Sequence, residues 1–66
     1  MKNLALERHR RGLSQSGLSQ LAGVPRTQIS MIETGRIVAW PGHLKRLAKA
    51  LDWKSDPKDL IKEVRL

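Results

Sequence analysis

Apolar residues in this 66-residue chain recur at spacings of three and four and nowhere alternate with polar residues for long. The clearest run is "PGHLKRLAKALDW" at residues 41–53, where Leu44, Leu47, Ala48 and Leu51 fall at i, i+3, i+4 and i+7. That spacing lines one face of a helix and is incompatible with a half-buried strand. Tyrosine and phenylalanine are absent, which removes much of the usual strand vocabulary. The pattern predicts an all-α chain. At this length it forms one domain over residues 1–66, burying about 60% of the surface its unfolded form exposes. A core that small leaves no deep cleft, and Ser, His and acid residues stand in no catalytic arrangement, so an enzyme is not expected.

Helix breakers divide the chain into five segments, giving expected helices at about 2–11, 15–22, 25–34, 41–51 and 57–65. Leu4 and Ala5 are the inward residues of the first, which Gly12 ends. Ser14 is a good N-cap for the second, "QSGLSQLA", which packs through Leu18, Leu21 and Ala22. Gly17 stands where a capping box would place Glu or Gln, and glycine there costs up to about 1 kcal/mol relative to alanine. Gly23 closes this helix, and Pro25 and Pro41 open the third and fourth as first helical residues. The last segment, "DPKDLIKEVRL", supplies an Asp56 cap, Pro57 at the first position and an apolar face of Leu60, Ile61 and Val64.

Several chemistries are excluded outright. There is no cysteine, so disulfides and thiolate sites cannot form, and His9 and His43 lie far apart in sequence with no second histidine or acid at ligand spacing, so no cofactor or metal is expected. The longest apolar runs are a few residues and the opening "MKNLALERHRRG" is charged, which predicts a cytoplasmic protein with no membrane span. The net charge is +7, and its distribution is uneven. Residues 1–49 hold nine bases and only two acids, Glu7 and Glu33, while residues 50–66 hold four of each. A basic surface on a small domain suits a polyanion, because neutralised phosphates release counterions.

The stretch "GVPRTQISMIETG" at residues 23–35 carries the functional signal. At about 100° per residue, Ile29 and Ile32 share the inward side, while Thr27, Ser30, Met31 and Thr34 point away and Arg26 flanks them. A merely solvated face in so basic a chain would carry Lys, Glu and Arg, as the fourth helix does with Lys45, Arg46 and Lys49. Small hydrogen-bonding side chains suit a surface approached closely, such as the DNA major groove, where the thymine methyl is available to Met31.

Residues 12–36, "GLSQSGLSQLAGVPRTQISMIETGR", closely resemble the lambda-repressor-like, Cro-type helix-turn-helix family (XRE-type regulators), and the similarity extends over about residues 4–52. The resemblance implies a compact five-helix lambda-repressor-like domain whose second and third helices form the helix-turn-helix. It implies that Arg26, Thr27 and Met31 face base edges, with Gln28 and Ser30 near them. Gln15, Ser14, Arg10, Arg11, Thr34, Arg36 and Lys45 are the corresponding DNA-backbone candidates. Arg8 and Glu33 stand where family members form an ion pair bracing the first helix against the third.

Three positions depart from the family pattern: Met31 is apolar, "RIVAW" replaces a basic loop, and Asp52 stands where glycine usually caps the fourth helix. The resemblance implies a transcriptional regulator, expected to be a repressor, binding an operator in double-stranded DNA as a homodimer, phage-encoded or acting at a prokaryotic nucleoid. The candidate dimer residues are Ile37, Val38 and Trp40 in the loop and Trp53, Ile61, Val64 and Leu66 near the C-terminus. Two alternatives stand beside it: an antitoxin repressing its own operon, with a toxin or anti-repressor as protein partner, and a helical interaction module that has lost DNA binding.

Overall fold

The computed structural model describes residues 1–65. It contains four α-helices: α1 (Asn3–Arg10), α2 (Gln15–Ala22), α3 (Arg26–Glu33) and α4 (Pro41–Ala50), followed by one 3-10 helix, Pro57–Ile61. Leu66, a candidate dimer residue, lies outside the described residues.

The core is a single cluster to which every element contributes. Leu4, Leu18, Val24, Ile29, Ile32, Leu47, Leu51 and Leu60 are essentially sealed from solvent. Burying each such side chain contributes about 1.5–3 kcal/mol relative to leaving it exposed, most of it offset by the entropy of ordering the chain. The stripe Leu44, Leu47, Ala48 and Leu51 is buried throughout, which makes α4 the backing for α2. Leu21 departs from the sequence expectation and is 63% exposed. The inward line of α2 runs from Leu18 to Ala22, and Leu21 falls on the far side of Leu18, beside Arg46 and Lys49.

Caps set the helix boundaries. Ser14 Oγ accepts the Gly17 backbone N–H at 2.9 Å, satisfying one of the free donors of α2. A Cβ at residue 17 would lie 3.3 Å from Ser14 Oγ, close enough to press on the capping hydroxyl, and in ordinary contact with Leu13 Cδ2 at 3.6 Å. Pro25 is the N-cap of α3 rather than its first helical residue, with ψ of 139°, and it is exposed. At the end of α4, Asp52 adopts a left-handed φ of 53° while the Trp53 N–H donates to Ala48 O at 2.8 Å. This is the closure in which glycine is favoured, here made by an acid. The Lys54 ammonium, by hydrogen bond and then by charge, holds the Asp52 carboxyl below its usual range.

The C-terminal segment is where the sequence reading fails. The expected helix over 57–65 is only the 3-10 helix Pro57–Ile61, capped by Asp56 Oδ1 accepting the Lys58 N–H at 3.0 Å. From Lys62 the backbone is extended and meets the N-terminus instead: the Asn3 N–H donates to Lys62 O at 2.9 Å, and the Val64 N–H donates to Met1 O at 2.8 Å. These bonds make an isolated antiparallel bridge between Lys2 and Glu63. The backbone groups that a fifth helix would have satisfied internally are satisfied across the molecule. No helix among the described residues is long and apolar enough to cross a membrane.

Candidate nucleic-acid interface

The local sequence around residue 23 forces a sharp change of direction. Gly23 closes α2 with φ of 68°, a conformation costly to a residue bearing a Cβ, and its N–H donates to Ser19 O at 2.9 Å. Val24, 1% exposed, then plugs the turn into the core, and Pro25 restricts the backbone entering α3. The two helices pack directly on each other.

Ile29 and Ile32, exposed by 0% and 1%, fix α3 rotationally. The opposite side is therefore defined. Arg26, Thr27 and Thr34 are exposed, while Gln28, Ser30 and Met31 are partly exposed. Met31 is not among the apolar side chains packed against the core. The Thr34 hydroxyl donates back to the helix, to Ser30 O at 3.0 Å and Met31 O at 3.3 Å, so it is already engaged.

The single acid of α3 is withdrawn from this ridge. Glu33 takes a two-pronged bond from the Arg8 guanidinium, Nε to Oε2 at 2.8 Å and Nη2 to Oε1 at 3.0 Å, with both side chains under 10% exposed. The paired geometry satisfies both carboxylate oxygens with charge-assisted bonds. Arg8 Nη1 also donates to Leu13 O at 2.9 Å, tying the pair to the α1–α2 connection.

The backbone candidates divide. Gln15 Nε2 donates to Glu33 Oε1 at 3.1 Å, which attaches the first residue of α2 to the last of α3 and leaves its second N–H for another acceptor. Ser14 uses its oxygen as the cap of α2. Arg10 and Arg11 both bind the buried Glu7 carboxylate, so neither is a bare cation. Arg26, Arg36 and Lys45 form no ion pair among the described residues. Sequence reasoning counted Glu7 only as a charge. Its signal was the three- and four-residue spacing to Arg10 and Arg11 on one helix.

The candidate dimer residues also separate. Ile37, Trp53 and Ile61 pack against the core, and the Trp53 indole N–H donates to Asp56 O at 3.0 Å. Val64 is partly buried at the terminal bridge. Val38 and Trp40 are the exposed members, at 79% and 74%. Trp40 stacks on His43 with ring centroids 6.3 Å apart. Beside them a groove of about 330 Å³ lies between α4 and the 3-10 helix, lined by Val38, Ala39, Pro41, Leu44, Pro57 and Ile61 with Lys45, Lys58 and Asp56.

Two short packed helices joined by a left-handed glycine turn, the second gripping the core on one side and presenting a ridge on the other, define a helix-turn-helix unit. A profile described as the helix-turn-helix domain matches residues 3–60, and the chain belongs to that family. No curated protein and no solved structure matches the chain significantly.

Proposed function

We propose that this chain is a sequence-specific double-stranded DNA-binding transcriptional regulator, a repressor that occupies an operator with α3 in the major groove. The observation that carries the reading is the outward ridge of α3, uncharged except for Arg26 at its start, on a helix whose only acid is turned inward onto Arg8. The groove accepts a helix, and Arg26, Thr27, Gln28 and Ser30 supply the donors and acceptors that base edges require. Arg36 and Lys45 serve the phosphates, joined by the spare N–H of Gln15. The chain works as a single, non-enzymatic domain in the cytoplasm.

Selection of duplexes from a randomised pool, followed by anisotropy at increasing salt, tests this. The expected outcome is a preferred sequence whose affinity falls steeply with salt and drops on Arg26→Ala or Thr27→Ala. Equal affinity of wild type and both variants for the selected duplex would remove α3 from the recognition role. A salt-insensitive partner captured through the apolar loop would instead favour a protein-interaction module or an antitoxin.

A second copy completes the binding unit. An interface related by two-fold symmetry needs projection and groove on one patch, and exposed Val38 and Trp40 lie beside the groove between α4 and the 3-10 helix. Such a dimer places two copies of α3 about 34 Å apart on successive turns of DNA. Sedimentation of Trp40→Glu with and without the selected duplex checks it, the expected result being loss of the two-protomer complex.

A further inference from the structure

We infer that the recognition ridge is divided into a hydrogen-bonding half and a methyl-reading half, and that Met31 with Thr34 selects the C5-methyl groups of thymine. The inference rests on the DNA-binding reading above and specifies the bases that reading leaves open.

The division follows from what each residue has free. At the start of α3, Arg26 and Thr27 are exposed, and among the described residues Arg26 forms no ion pair and the Thr27 hydroxyl no hydrogen bond, so this end offers polar contacts. One turn further the chemistry changes. Met31 is partly exposed and is not among the described apolar side chains packed against the core, which leaves a flexible, polarisable thioether on the outward side of the helix. Thr34, three residues on, has its hydroxyl folded back onto Ser30 O and Met31 O. Its methyl is the branch it offers to a partner. The two side chains stand one above the other at the i, i+3 spacing and make a small apolar surface.

Among base edges in the major groove only thymine presents an apolar group, its C5-methyl. The ridge also lacks the carboxylate that best accepts from the cytosine amino group, because Glu33 is held inward by Arg8 and Gln15. At 1.5 Å per residue, Arg26 and Met31 are about 7.5 Å apart along the helix, or roughly two base-pair steps. The preferred half-site therefore holds a guanine for Arg26 and, about two base pairs away, one or two thymines under Met31 and Thr34.

The test changes the DNA and leaves the protein intact. In the duplex selected by wild-type protein, each thymine is replaced in turn by 2′-deoxyuridine, which lacks only the methyl, and affinity is read by anisotropy. One or two positions are expected to weaken binding about fourfold each, the value of one methyl withdrawn from water. Met31→Ala should bind the thymine duplex more weakly and lose its sensitivity to deoxyuridine at one of those positions; Thr34→Ser, which keeps the hydroxyl bonds, should lose it at the other. Replacing a critical thymine by cytosine and then by 5-methylcytosine should restore part of the lost affinity. Equal affinity of the thymine and deoxyuridine duplexes overturns methyl reading while leaving DNA binding by α3 intact. Failure to select any preferred duplex overturns both.

Discussion

Arg8 and Glu33 show what a single pair of residues does for this fold. Both are under 10% exposed, so removing one strands the other charge in a poorly hydrated site. Arg8→Ala is expected to cost about 3–5 kcal/mol in urea unfolding, whereas Arg8→Met combined with Glu33→Leu should recover most of that loss. The position of this pair in the sequence was legible only through the family resemblance, because residues 25 apart carry no local signal. The attachment of Gln15 to the same carboxylate was not legible, since a glutamine at a helix start suits water, phosphate or protein equally well. Asp52 is the residue that fits its backbone least. Its φ of 53° is one that glycine adopts freely, and Asp52→Gly is expected to raise the thermal midpoint by a few degrees, the surface pair with Lys54 being weak compensation. An unchanged or lower midpoint would show that the left-handed position carries no strain.

At the scale of elements, α2 is the one α-helix among the described residues that carries a side-chain cap. It is eight residues long with a glycine at its third position, and Ser14 supplies its only side-chain cap. Ser14→Ala is expected to cost about 1 kcal/mol and to accelerate amide exchange in the first turn of α2 before that of α4. Helices α1 to α4 were readable because breakers and apolar spacing agree at each of them. The tail was misread for a physical reason. Leu60, Ile61 and Val64 have helical spacing, yet the winning interactions are two backbone bonds to Met1 and Asn3 from across the molecule. Apolar periodicity carries no information about a partner more than fifty residues away. The same limit hid the outcome for the "RIVAW" loop, where Ile37 and Ala39 go inward and Val38 and Trp40 outward, an alternation fixed by the core they meet.

Across the whole molecule, charge and shape divide the labour. The N-terminal ammonium bonds Glu63 at 3.0 Å and Lys2 lies 3.4 Å from the same carboxylate, which uses two cations far along the chain from α3 to clasp the ends. Glu7 and Glu33 occupy three arginines of the first helix and its connection. Among the described residues Arg26, Arg36 and Lys45 remain unpaired around a ridge with no acid on it, and the sequence made that excess visible without showing which bases were spent on structure. On the proposed reading this ridge is the surface that DNA meets. Titrating uniformly 15N-labelled protein with the selected duplex and following backbone amide shifts tests it most directly. The largest changes are expected at Arg26–Met31 and Thr34, with smaller ones at Ser14, Gln15 and Arg36. Changes confined to Val38–Trp40 or to Leu21, Arg46 and Lys49, with α3 unmoved, would contradict it.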